Sequence, residues 1–200
     1  MNFLAHFYLS LPTPASLAGN FLGDFITGTP ESLQNKLPKD LLDGIILHRQ
    51  IDAYTDQHPS FSQAKAYLSP ERRRFAGVIL DMFTDHFLAR HWASLHPTPL
   101  TTFQQHVHDA LLEYWEFFPE RAQRNAQWMH EGSWFNRYLT VEGIQQSLDG
   151  LSTLNPKFTP LLEATCHLKS HYQELESLSL TLLSDCHTHF STPPSSSQTL

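Results

Sequence analysis

Ala76-Gly77-Val78-Ile79-Leu80-Asp81-Met82-Phe83-Thr84-Asp85-His86-Phe87-Leu88-Ala89-Arg90-His91-Trp92 is the stretch on which the fold turns. Its apolar residues fall nearly all round a helical period, which marks a buried helix rather than a surface one. Asp81 and Asp85 are four apart, so they lie about 40° apart around the axis and one turn along it. Val78, Leu88 and Trp92 share their stripe. Two carboxylates side by side on an apolar face repel each other and lose hydration on burial. A shared proton, arginine partners or a metal ion has to compensate.

The segment around His48 repeats the arrangement. His48 and Asp52 are four apart, on a stripe with Leu41 and Ile45. Helix pairs that project histidine and carboxylate inward are the usual way an all-α protein builds a metal site. Imidazole and carboxylate without thiolate favour a borderline or hard cation such as Mn, Fe, Mg or Zn. Asp24, in Gly19-Asn20-Phe21-Leu22-Gly23-Asp24-Phe25, is flanked by Leu22, Phe25 and Ile26, which points to partial burial. His6 is an isolated polar residue in Phe3-Leu4-Ala5-His6-Phe7. Such a residue is more often a satisfied core histidine than a ligand. His86 points about 100° away from Asp85, as a residue behind the site or in the core.

Outward from these helices the chain reads as all-α. Helices are predicted at 15–25, 39–54, 60–67, 70–94, 100–117, 120–130, 141–149 and 157–187, with most prolines between them. Ser69-Pro70-Glu71-Arg72 reads as a helix start. There is no alternating strand pattern of useful length. One domain is expected over 1–190, with a disordered tail, STPPSSSQTL, over 191–200.

The chain has 200 residues, 40% of them hydrophobic, which suits one globular domain. A formal net charge of −7 argues against general nucleic-acid binding. The longest apolar runs fall short of a membrane span, and the N-terminus lacks the basic region of a signal peptide. A cytoplasmic protein off the membrane is expected, with Cys166 and Cys186 as reduced, buried thiols. Oligomeric state is left open.

Histidine is abundant, with 13 against 13 Lys and Arg together, so placement decides which ones matter. His108-Asp109 is the one literal His-Asp dipeptide, but Asp109 shares a polar face with Gln105, Glu113 and Glu116 and is set aside. Asp185-Cys186-His187-Thr188-His189 adjoins the tail, and His58-Pro59 and His96-Pro97 read as loop residues.

MNFLAH at 1–6, GNFLGDF at 19–25, GIILHRQIDAYTD at 44–56 and AGVILDMFTDHFLARHW at 76–92 together resemble the acyl carrier protein phosphodiesterases. The similarity is dense over the first half and looser to about residue 180. It implies a divergent HD-domain-like helical fold, though the usual HD order of ligands is not kept. It also implies a manganese-dependent hydrolase, with Mg²⁺ or Fe²⁺ as other candidates, that removes 4′-phosphopantetheine from holo acyl carrier protein. The positions matching the family's metal set are Asp24, His48, Asp52, Asp81 and Asp85. Arg49 is then a candidate phosphate clamp, and His86 and His6 are candidate general acids.

Acyl carrier protein is acidic, so docking calls for local basic groups. Arg72-Arg73-Arg74 and Lys36 with Lys39 sit at the starts of the two ligand-bearing helices. Two other readings compete: a different HD-type hydrolase, such as a nucleotide phosphohydrolase, and a non-enzymatic helical binding protein with a buried ion-pair network.

Overall fold

A computed structural model describes residues 1–131 and 134–191. The fold is all-α, as expected, and no strand occurs among the described residues. The helices are α1 (Phe3–Tyr8), α2 (Pro14–Leu22), α3 (Pro30–Leu33), α4 (Lys39–Asp56), α5 (Pro59–Lys65), α6 (Ala76–Leu95), α7 (Leu100–Glu113), α8 (Glu120–Glu131), α9 (Trp134–Tyr138), α10 (Val141–Leu154), α11 (Thr165–Ser170) and α12 (Tyr172–Ser191). Short 3₁₀ turns lie at Arg73–Phe75, Trp115–Phe117 and Pro156–Leu161. None of the described helices is long and apolar enough to cross a membrane. The expected tail falls outside the described residues from 192 onward, and α12 runs to Ser191.

Helix α6 is the centre of the molecule, packed by α1, α5, α9, α10 and α12. Ile79, Leu80, Phe83, Phe87, Leu88 and Trp92 are all buried along it. Each such side chain contributes about 1.5–3 kcal/mol on full burial, so packing rather than helix propensity holds α6 in place. The Asp81/Asp85 stripe is not uniformly dry. Val78 is 39% exposed, the Asp81 side chain 26%, and Asp85 fully buried. The stripe therefore runs inward from an open end.

Several boundaries differ from the sequence reading. The helix expected from Pro70 begins at Ala76. Ser69 does not cap it: its hydroxyl donates to Glu71 at 2.6 Å, and the backbone makes a turn from Ser69 to Arg72 and a 3₁₀ turn after it. The single helix expected at 157–187 is a 3₁₀ turn followed by α11 and α12, and α1, α3 and α9 were not foreseen. Cys186 is buried, where burial pushes its thiol up to about 12. Cys166 is exposed rather than buried.

Helices α2 and α4 cross at glycine. A Cβ on Gly19 would lie 2.3 Å from the Leu41 carbonyl oxygen, and one on Gly44 would lie 2.9 Å from the Gly19 Cα. The backbones touch because neither residue carries a side chain. Thr13 caps α2 by accepting from the Ser16 N–H, with Pro14 at the first helical position. The crossing brings the C-terminal end of α2, with Asp24 just beyond it, against the middle of α4.

Candidate metal centre

His48 projects from α4 toward that junction and is held there by the absence of a side chain on Gly23. A Cβ at Gly23 would fall 2.3 Å from His48 Cγ and 2.5 Å from Cδ2. The GNFLGDF motif thus uses one glycine for the helix crossing and another for the imidazole. The ring stacks on His6 from α1, with centroids 4.0 Å apart and planes 16° apart.

Both rings turn Nε2 to one carboxylate. His6 Nε2 is 3.1 Å from Asp52 Oδ1 and His48 Nε2 is 3.2 Å from Asp52 Oδ2. The ligand atoms of His6, His48 and Asp52 all lie within 4.8 Å of one another. Asp24 Oδ1 is 3.6 Å from the same His48 nitrogen. The Met1 amino group lies 2.9 Å from Asp52 Oδ1 and 3.4 Å from Asp81 Oδ2. Four of the sequence candidates therefore gather, together with His6. Asp24, Asp52 and Asp81 stand at the open rim, with the two imidazoles behind them.

Two nitrogens and the surrounding carboxylates suit a borderline or hard divalent cation. The Nδ1 atoms of both His6 and His48 are buried without a protein partner, so each ring's polar contacts are confined to the Asp52 side. Burial holds His6 down at about 3, so the ring is neutral with a lone pair to offer. Burial works against ionised Asp52, but hydrogen bonds from His48 and His6 and the Met1 ammonium outweigh it and hold that carboxyl far below the usual range. Burial raises Asp81 to about 6, partly offset by the Met1 ammonium. Burial likewise raises Asp24, against the attraction of His48.

Asp85 is bonded to the backbone of α1. Its two oxygens accept from the Leu4 N–H at 3.0 Å and the Ala5 N–H at 2.9 Å. Those are orphan donors in the first turn of α1, whose own Asn2 makes no side-chain cap. Burial still pushes Asp85 up to about 7, against these two bonds. Asn20 secures the other end of α1, donating to the His6 carbonyl oxygen and to Ser10 Oγ, each at 2.9 Å. His6 is thus delivered by a one-and-a-half-turn helix gripped at both ends.

Arg49 and His86 are engaged elsewhere. The Arg49 guanidinium donates to the carbonyls of Gly28 at 2.8 Å and Ile26 at 3.4 Å, bracing the loop that follows Asp24. His86 is 2.7 Å from the Tyr138 carbonyl through Nδ1 and 2.9 Å from the Tyr172 hydroxyl through Nε2, tying α6 to α9 and α12. Burial lowers its pKa from the usual imidazole range. Sequence reasoning missed Gly23, Asn20 and the gripping of α1; the only local signal was the GNFLGDF motif itself.

The chain matches the family profile described as acyl carrier protein phosphodiesterase over residues 1–186. The chain belongs to the acyl carrier protein phosphodiesterase family. A relative from Enterobacter sp. (strain 638), named acyl carrier protein phosphodiesterase, is 38% identical over 178 residues, covering 88% of this chain and 91% of the relative. One of the same name from Yersinia pestis is 37% identical over 182 residues, covering 90% and 93%. A third, from Klebsiella pneumoniae (strain 342), is 35% identical over 177 residues, covering 88% and 90%. No solved structure matches. The family match spans every residue of the cluster, from His6 to Asp85.

The set-aside histidines are accounted for by packing. Asp109 accepts from Gln105 on an exposed face, and His108 stacks on His130. His58 caps α5 through Nδ1 and meets Asp185 of α12 at 3.2 Å through Nε2. Arg72 is not a free docking charge: it donates to the carbonyls of Pro160 and Leu162 and contacts His167. Lys39 pairs with Asp43.

Proposed function

We propose that this chain hydrolyses the phosphodiester joining the carrier serine to 4′-phosphopantetheine in holo acyl carrier protein, with a divalent cation at His6, His48 and Asp52. The convergence of those three ligand atoms, in a family profile spanning 1–186, carries the reading. The water oxygen joins phosphorus, the phosphorus–serine oxygen bond breaks, and the serine oxygen leaves with a proton. The products are apo carrier and the phosphomonoester 4′-phosphopantetheine.

His6, His48 and Asp52 would hold Mn²⁺, with Mg²⁺ or Fe²⁺ as the other candidates, and a cation there would supply Lewis-acid activation of the attacking water and the phosphoryl group. Asp52, anionic, and the rings of His6 and His48 are the holding groups. Asp24 and Asp81 flank the open side, where their charge orients what enters. Asp85 acts through α1, fixing where His6 Nε2 stands. Arg49 fixes the loop that carries Asp24, and His86 fixes α9 and α12 against α6.

The test is incubation of the purified protein with holo acyl carrier protein and Mn²⁺, followed by intact mass. Loss of the phosphopantetheine mass is expected. Asp52→Asn should lower both bound metal and rate by about 100-fold or more. Full activity in Asp52→Asn would break the ligand assignment, and turnover of nucleotides in place of the carrier would redirect the substrate.

A further inference from the structure

On the Asp24 side of the metal centre a cleft of about 580 Å³ opens between α8 and α10. Arg121, Asn125 and Trp128 face it from α8, at a spacing that puts them on one stripe. Gln146, Gly150 and Leu154 face it from α10. Asp24 stands on its wall and 3.6 Å from His48 Nε2, so the cleft leads to the metal centre.

Its chemistry is mixed in a specific way. The Arg121 guanidinium lies 5.7 Å from the Phe25 ring centroid, and that of Arg137 lies 5.3 Å from the Trp128 ring centroid. Neither Arg121 nor Arg137 is in a salt bridge among the described residues, though the Arg121 guanidinium attracts Asp24 across the mouth of the cleft. Two unpaired arginines on one cleft are conspicuous in a chain of net charge −7. Guanidinium is suited to bind phosphate oxygens in pairs. Asn125 and Gln146 offer amide donors and acceptors, and Trp128 and Leu154, 48% and 73% exposed, offer apolar surface.

We propose that this cleft seats the 4′-phosphopantetheine arm of the substrate. The phosphate end lies at Arg121 beside Asp24, the two amides meet Asn125 and Gln146, and the methylene and thiol end runs along Trp128 and Leu154. An anionic head on a chain of alternating amides and methylenes matches the order of groups on the walls. The inference rests on the proposed function, because that reading supplies the arm.

Gly150 makes it testable without harming the fold. A Cβ there meets no atom within 4 Å. Gly150→Phe therefore projects a ring into the cleft, and replacing a helical glycine does not cost helix stability. The expected result is an unchanged or higher melting temperature and unchanged bound Mn²⁺. Free 4′-phosphopantetheine, titrated by calorimetry, should bind about tenfold more weakly, and KM for holo carrier should rise by a similar factor. Arg121→Ala should weaken 4′-phosphopantetheine but not pantetheine, which lacks the phosphate. Equal 4′-phosphopantetheine affinity in wild type and Gly150→Phe overturns the cleft assignment, whatever the activity. Failure of the wild type to hydrolyse holo carrier, with 4′-phosphopantetheine binding still blocked by Gly150→Phe, overturns the proposed function and leaves the cleft assignment standing.

Discussion

Gly44 and Gly150 each sit inside a long helix, yet their missing side chains serve opposite ends. At Gly44 the space is taken by the backbone of α2, with the Ala15 and Ser16 carbonyl oxygens 3.0 Å from where a Cβ would stand. At Gly150 the space is empty. The first glycine closes the α2/α4 crossing that sets His48 against Asp24, and the second leaves the wall of α10 open. The molecule has a tight half, where groups are positioned, and a receptive half, where a flexible chain is laid down.

Substitutions should separate the halves. The largest effect is expected at Gly23→Ala, which drives a methyl into the His48 ring. Metal affinity and rate should fall about 10–100-fold, with metal content and single-turnover rate as the measurements; unaltered metal binding would show the ring is not confined by this glycine. Gly44→Ala should cost about 1–3 kcal/mol of unfolding free energy in a denaturant titration, because the α2 backbone has to move. Asp85→Asn should also cost about 1–3 kcal/mol, since an amide cannot accept from both the Leu4 and Ala5 N–H groups; no loss would mean the carboxylate does not hold α1. The smallest effect has the opposite sign. Gly150→Ala should gain about 0.5–1 kcal/mol, and a loss there would erase the contrast with Gly44.

What the sequence made legible was local. The His48/Asp52 and Asp81/Asp85 pairs were visible because helical spacing puts residues four apart on one stripe. The all-α class followed from the same periodicity. Their partners were not visible. The buried acids suggested a shared proton, arginines or a metal, whereas Asp85 is met by backbone N–H groups of α1 and Asp81 by the Met1 amino group. Helix α1 has six residues, too few to show a period, so His6 could be read as a core histidine or a candidate general acid but not as a partner of Asp52. Arg72 looked like a docking charge because nothing local reveals that the Pro160 and Leu162 carbonyls, some 90 residues on, will take its donors. Arg49 looked like a phosphate clamp for the same reason: the carbonyls of Ile26 and Gly28 come back to it only through the fold.

The grip of Asp85 on α1 joins residues 80 and 81 apart in sequence. Closing so long a loop carries an entropic cost that is met only once α6 exists to receive it. At roughly 5–20 residues per second of synthesis, the α1 segment waits on the order of 4–16 s before Asp85 emerges. Until then Phe3 and Phe7 can meet the Phe21 ring of α2, but the first turn of α1 lacks its Asp85 partner. Order of assembly is therefore built into the topology. The imidazole of His6 is made early but is held only once Asp85 grips α1, so a nascent chain cannot fix the His6–His48–Asp52 set before α6 has been made.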